Sequence, residues 1–452
     1  MADCREVENC NNTFDLHLKT KNNYTEPSQA GKHLWPRPLA RKWTLMLLLG
    51  TSLLYCARMA MPVCAVSMAA TFHWSKTEMG LVLGGFYWGY CLTQILGGHA
   101  SDKVGGERIL FFSTASWAVI TAATPLLGHF QLHSVTAMTI GRFLMGLLQG
   151  VFYPSVSSLC SQRVVEEERP FLISLAGSGC YLGTLLVGGA GSLLLDWYGW
   201  EMVFYATGLL AGLWAVIVWQ YLLKGQLLPK NLLSSKVSSR SFSRFRWLGF
   251  LKKRPVCAMV FAHMCHGGTS YTLLSWLPAF FKDSFPDATE WVYNLIPWLV
   301  AFLCSLCGGY LSEFLSNRGY CRTSARKINQ SLAMGLSSVF ILLLCSPISF
   351  PSTLLSISAV LGLSTFSSSG VSVNVQDLAP SYAGALYGFM NMCSAFMGVV
   401  LVSFSGYLIE MRSYALLFSL LTLLNITGLG CFLLLGDTKR VDLEDNLRLT
   451  VI

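Results

Sequence analysis

Gly98-His99-Ala100-Ser101-Asp102-Lys103-Val104-Gly105-Gly106-Glu107-Arg108 joins one long apolar run to the next. Its glycines allow helices to approach closely and the chain to turn tightly. Asp102 can bond a helix terminus or an arginine across a gate, and such a contact favours one access state over another. A second, weaker copy lies further on. Gly309-Tyr310-Leu311-Ser312-Glu313 repeats the glycine-to-acid spacing at the end of another apolar run. The two copies suggest that the chain is built from two related halves. Gly98, Asp102, Lys103, Gly105, Gly106, Arg108 and Glu313 are therefore candidate gate residues.

The surrounding composition says what solvent those halves meet. Hydrophobic residues make up 53% of the 452 and charged residues 12%, against about 25% charged in an ordinary soluble domain. So few charges cannot cover a water-facing surface, which excludes a soluble enzyme. A membrane helix needs roughly 20 apolar residues. Twelve such stretches are expected, at 43–66, 79–100, 109–128, 135–159, 171–195, 200–223, 256–281, 291–315, 328–346, 353–375, 384–408 and 413–436. The fold class is an all-α membrane protein with two six-helix halves, 43–223 and 256–436. A basic linker at 224–255 separates them, and polar tails at 1–42 and 437–452 flank them. No apolar core precedes Trp43, so the first span reads as an anchor that stays in the protein.

Charge gives the orientation. The net charge is +9, and its carriers sit in loops, so it speaks for topology before nucleic acid, which is not an expected partner. Even-numbered loops hold Lys103, Arg108, Arg163, Arg169, the linker cations from Lys224 to Arg254, Arg318, Arg322, Arg326 and Lys327. Odd-numbered loops hold only Lys76, Lys282 and Arg412. The positive-inside rule then places both termini and the linker in the cytosol. Sequons at Asn11 and Asn23 should stay unmodified. The linker also offers a surface for anionic membrane lipid. The cysteines avoid the far-side loops, which argues against a disulfide framework. Cys304 and Cys307 read as packing residues rather than a redox pair.

Two arginines interrupt the apolar helices. Arg58 follows Leu53-Leu54-Tyr55-Cys56-Ala57, and Arg142 follows Met138-Thr139-Ile140-Gly141. Each costs roughly 2.5–3.5 kcal/mol at a helix centre. Neither has an acid within a turn of its own helix. At about 1.5 Å per residue, Arg58 lies roughly 20 Å in from Trp43, and Arg142 roughly 10 Å in from the other surface. In a core of about 30 Å both fall in one layer, where two guanidiniums form a fork for carboxylate or phosphate oxygens. The bland alternative is that each binds a backbone carbonyl or a distant acid. Gln149 stands near Arg142 where a proton-coupled carrier would be expected to hold a carboxylate. His263 and His266 in the seventh span could titrate or bond substrate, though packing is the commoner fate of such residues. Tyr90 and Trp88 could stack a base, or simply pack. No phosphate-loop motif, metal-ligand spacing or catalytic set appears, so no catalytic or metal residue and no cofactor is expected. Transport must draw on gradients.

Residues 98–108 resemble the loop between the second and third spans of the major facilitator superfamily. Phe86-Tyr87-Trp88-Gly89-Tyr90-Cys91-Leu92-Thr93-Gln94 and Arg142-Phe143-Leu144-Met145-Gly146-Leu147-Leu148-Gln149-Gly150-Val151-Phe152-Tyr153-Pro154 resemble its anion and phosphate cotransporter family, which includes the vesicular glutamate transporters and sialin. Leu274-Ser275-Trp276-Leu277-Pro278, Val373-Asn374-Val375-Gln376-Asp377 and Arg440-Val441-Asp442-Leu443 are similar to its nucleotide-carrying branch. The resemblance covers most of 43–440. It implies alternating-access uptake of ATP, ADP and GTP into secretory or lysosome-related vesicles, driven by an inside-positive potential. It also implies chloride as activator and a vesicular proton ATPase as functional partner only. The family's essential arginines fall on Arg58 and Arg142, and Gln149, His266, Tyr90 and Asn374 complete the candidate substrate residues. A second-span His, a fourth-span Glu and a seventh-span Arg used by the glutamate carriers are replaced by Leu83, Gln149 and His266. Those departures weaken the case for proton coupling and for a small dicarboxylate. A proton-coupled carrier of glutamate, aspartate, sialate or phosphate, and a non-transporting receptor, are the rival readings.

Overall fold

Local sequence sets each turn. Helix α1 (Arg37–Phe72) starts after Pro36 and ends at His73, whose φ of 55° closes it in the left-handed region. Ser75 then caps α2 (Lys76–Val104). Its hydroxyl accepts from Glu78 N at 3.1 Å, and the Glu78 carboxylate accepts from Ser75 N at 2.8 Å, a reciprocal capping box. Gly105 turns the chain into α3 (Gly106–Leu127) with φ 101°, where an L side chain is strained.

The computed structural model describes residues 35–128, 134–164, 169–220, 252–346, 349–379, 383–412 and 414–441. A few side chains within its helices, those of Asp102, Lys103 and Glu313 among them, also lie outside the description. So do most of the linker, most of the amino-terminal tail with both of its sequons, and the carboxyl-terminal residues from 442.

The remaining spans continue up and down. They are α4 (Ser134–Gly150, resumed as Phe152–Arg163), α5 (Arg169–Leu186, continued through Val187–Gly191 and Ser192–Tyr198), α6 (Trp200–Val218), α7 (Arg254–Ser284) and α8 (Glu290–Asn317). After them come α9 (Arg322–Gln330, Ser331–Leu336, Ser337–Leu343), α10 (Phe350–Ser364, Thr365–Ser368, Val371–Leu378), α11 (Ala383–Arg412) and α12 (Tyr414–Leu435). The twelve expected spans are all present, and no strand occurs among the described residues. Ten are long and apolar enough to cross a membrane by composition alone. The two others, α7 and α9, carry more polar residues. Helices overrun the apolar windows, as α1 does against the expected 43–66, because polar end turns can lie in the headgroup layer.

Breaks have identifiable causes. Pro154 has no N–H to give the Gly150 carbonyl, and α4 is interrupted at Val151. Helix α5 widens to a π-helical turn at Val187–Gly191, and α9 does so at Ser331–Leu336.

The largest core cluster is anchored by Trp43, Trp117, Phe86 and Phe152 of the first half and runs on into Trp276, Ala395 and Val399 of the second, while Phe280, Phe281, Tyr293 and Phe418 anchor a cluster within the second. The halves meet chiefly through α2 against α11, α1 against α7, and α5 against α8. Their charged contacts lie at the face away from the termini. Lys76 pairs with Asp283 at 2.5 Å, and Glu410 accepts from Thr77 N at 3.0 Å and from its hydroxyl at 2.5 Å. Tyr414 also donates to Asp283, at 2.6 Å. At the face that bears the termini, no ion pair among the described residues joins the halves.

Candidate functional site

Pro62 sits four residues beyond Arg58, so the Arg58 carbonyl has no helical N–H to accept from. Arg142 fills that vacancy: its Nη2 donates to Arg58 O at 3.5 Å, a long bond. The two arginines therefore share one depth, as their spacing from the two surfaces predicts. Both are buried, Arg58 at 2% exposure and Arg142 at 4%. Arg58 Nε donates to Gln149 Oε1 at 3.3 Å, and Gln149 Nε2 donates to Leu54 O at 3.3 Å. The other Arg142 nitrogen with a partner, Nη1, meets only the Met145 sulfur, at 3.4 Å.

No carboxylate reaches either guanidinium among the described residues. Rings enclose the charge instead. Arg58 Cζ lies 4.6 Å from the Tyr55 ring centroid, 4.7 Å from Phe86 and 4.8 Å from Tyr90, while Arg142 Cζ is 5.0 Å from Phe86. Each such contact returns about 0.5–2 kcal/mol. Arg58 Nη2 and Arg142 Nε have no partner at all, and a buried unpaired donor costs about 1–3 kcal/mol, more when charged. The pair is therefore left with two cationic groups and unmet donors, a setting that an anion with several oxygens would complete. The bland alternative is realised only in part, through the single weak contact to a carbonyl.

The other candidate residues divide. Gln149 and Tyr90 belong to the cluster, with Tyr90 stacked on Phe86 at 5.5 Å. Trp88, two residues from both Phe86 and Tyr90 and so on another face of α2, is exposed. His266 lines a cavity that also touches Tyr55. His263 stands apart from that cavity and meets Asn391 Oδ1 at 3.2 Å. Asn374 is not brought to the arginines. It sits near the end of α10, and its Nδ2 donates to Asp437 O at 3.3 Å.

At the terminus-bearing face, Gly105 makes the turn and Gly106 lies against α4, where an added Cβ would stand 2.6 Å from Ser155 O. Arg108 is exposed. Gly98 lies within α2, while the side chains of Asp102, Lys103 and Glu313 are outside the described set. The charge work visible here falls on Glu107, which accepts from Arg163 Nε at 2.8 Å at the end of α4. The second half has the same bond with the signs exchanged. Arg326 near the start of α9 donates to Asp377 near the end of α10 at 2.8 Å, and also to Ser312 Oγ and Ser369 O. Sequence reading did not name these pairs. Nor did it single out Tyr55 and Phe86 as site residues, although Tyr55 lies one turn before Arg58 and Phe86 one turn before Tyr90.

Comparison with known proteins fits this architecture. The model of the Major Facilitator Superfamily matches residues 47–402. The chain is 48% identical to the Voltage-gated purine nucleotide uniporter SLC17A9 of Homo sapiens, over 92% of this chain and 96% of that protein. It is 31% identical to the Probable anion transporter 4, chloroplastic, of Oryza sativa subsp. japonica, over 87% and 68%. Among solved structures it resembles a D-xylose-proton symporter with TM-score 0.68 and 15% identity, covering 88% of this chain and 98% of that one. The chain thus belongs to the Major Facilitator Superfamily and, within it, to the anion and phosphate cotransporter family, as a carrier rather than an enzyme.

Proposed function

We propose that this protein is a voltage-driven uniporter of purine nucleotides that works by alternating access. The observation that carries the reading is the arginine pair, buried between α1, α2 and α4 with unmet donors and no carboxylate among the described residues. A polyphosphate presents many oxygens to such a fork. The purine nucleotide uniporter relatives support the choice of ligand within the anions. Gln149 supports charge movement without an obligatory proton, since an amide at that position does not titrate.

Voltage is an adequate drive. One charge crossing 100 mV is worth about 2.3 kcal/mol, so a substrate with net charge near four gains on the order of 9 kcal/mol. In the proposed cycle the termini face the cytosol and nucleotide enters from that side. Phosphate oxygens bind Arg58 and Arg142, and the Lys76–Asp283 contact must open for release into the lumen. Uptake into secretory or lysosome-related vesicles, with chloride as activator and a vesicular proton ATPase supplying the potential, completes the reading and rests on the family resemblance.

The test is purified protein in liposomes under a potassium diffusion potential, with ATP, glutamate, sialate and phosphate compared, each with and without chloride. ATP uptake that depends on voltage and disappears in Arg58→Ala and Arg142→Ala is expected. Uptake of glutamate, sialate or phosphate without ATP would overturn the assignment, as would folded arginine variants that still carry ATP.

A further inference from the structure

The nucleotide reading places the phosphates but not the base. Tyr55 points to where the base goes, because it serves two sites. Its ring lies 4.6 Å from Arg58 Cζ, and its side chain also lines a cavity of about 170 Å³ between the halves. Sites that hold a whole drug-sized molecule run to about 300–1,000 Å³. This cavity therefore has room for a ring system, with the phosphates outside it.

Its wall has the chemistry of a neutral, polar, flat ligand. Across from Tyr55 the second half contributes His266 and Thr269 of α7, Trp298 of α8, Ser337 of α9 and Asn425 of α12. Among the described residues no Lys, Arg, Asp or Glu lines it, so phosphate and dicarboxylate find no charged partner in that set. Thr269 Oγ1 donates to Asn425 Oδ1 at 3.1 Å, with both residues buried. That bond sets the amide's orientation and leaves its Nδ2 as a donor for a ring nitrogen or carbonyl. Trp298 supplies a ring face, on which a heterocycle stacks whatever its substituents.

We infer that this cavity is the nucleobase subsite, so that a bound nucleotide bridges the halves with its phosphates on Arg58 and Arg142 and its base between Trp298 and Asn425. The inference rests on the nucleotide reading above and extends it. It gives the two halves different tasks. The first holds charge and is indifferent to the base. The second reads the base and, by Asn425 and His266, sets the preference among nucleotides. Trp298 holds the base, and Asn425 and His266 are the specificity residues.

Two experiments test it. Wild-type protein in proteoliposomes is photolabelled with 8-azido-ATP and the adduct mapped by mass spectrometry. Adducts on residues that line the cavity, those of α7, α8 and α12 among them, are expected to be suppressed by excess ATP, and ATP-protected adducts confined to residues outside its lining would overturn the subsite. Transport is then compared in Trp298→Ala and Asn425→Ala. The KM for ATP should rise roughly fivefold or more in both and the ATP-to-UTP preference should change in Asn425→Ala, while inorganic triphosphate, which has no base, inhibits as in wild type. Folded variants with wild-type KM and preference would overturn the subsite while leaving nucleotide transport standing. A wild-type protein that carries no nucleotide under voltage would instead remove the reading beneath it. Should a variant fail to fold, the labelling of the wild-type protein decides.

Discussion

A proline four residues after an arginine removes the amide that would have bonded the arginine's own carbonyl. In α1 that makes the Arg58 carbonyl an acceptor aimed out of its helix, and Arg142 uses it. Replacing Pro62 with alanine restores a competing N–H. Such a change should strengthen α1, since an interior proline costs about 3 kcal/mol or more, and it should loosen Arg142. A higher melting temperature in detergent together with a KM for ATP raised severalfold is the expected pair of results; an unchanged KM would mean that the carbonyl does not position Arg142. Gln149 makes a second prediction. With glutamate there, a carboxylate would replace the amide oxygen 3.3 Å from Arg58 Nε and neutralise much of the site's charge. Uptake by Gln149→Glu should fall at least tenfold at neutral pH and recover as the pH drops and the new carboxyl is protonated. Wild-type uptake, measured at constant voltage, should lack that acid limb. The shared depth of the arginines was legible from distance along the helices, because rise per residue is nearly invariant. The place of Asn374, apart from the arginines and bonded to Asp437 O, was not legible, because a polar residue in an apolar run does not reveal its depth once α10 changes pitch at Thr365–Ser368.

Helix α2 shows what glycine does for a whole element. Gly85 and Gly89 lie against α4, and Gly80 and Gly84 against α11. One helix thus packs tightly within its half and tightly across the interface. A Cβ at Gly89 would stand 2.0 Å from the Phe143 carbonyl oxygen, which belongs to backbone and cannot swing aside. Gly89→Ala should therefore destabilise by about 1–3 kcal/mol through overpacking, even though alanine is the better helix former. Gly212→Ala, with nothing within 4 Å of the added carbon, should be neutral or stabilising. Thermal melts of the two variants beside wild type check the contrast, and equal melting temperatures would contradict the contact. Elements of this kind were readable as apolar windows with glycines near their ends. Their interruptions were less so. The break at Val151 can be traced back to Pro154, but the π-helical turn at Ser331–Leu336 has no proline to announce it.

For the molecule as a whole, the question is which face can open. The charged ties between halves among the described residues lie opposite the termini, and they are modest. Lys76 and Asp283 are about a third exposed, and exposed pairs contribute about 0–1 kcal/mol. Such a contact biases two access states by a few fold and does not lock one of them. If substrate leaves through that face, a bond that cannot break there must stop the cycle. Replacing Lys76 and Asp283 together by cysteine places two thiols across the interface. Under mild oxidant the double variant should lose nearly all voltage-driven ATP uptake and regain it with reductant, whereas each single variant should be indifferent to both. Because the chain has 15 cysteines of its own, the cross-link itself must be identified by mass spectrometry beside the flux. Full transport with the cross-link complete would mean that the halves need not part at Lys76, and the exit would have to be sought along α5 and α8, another of the interfaces between them.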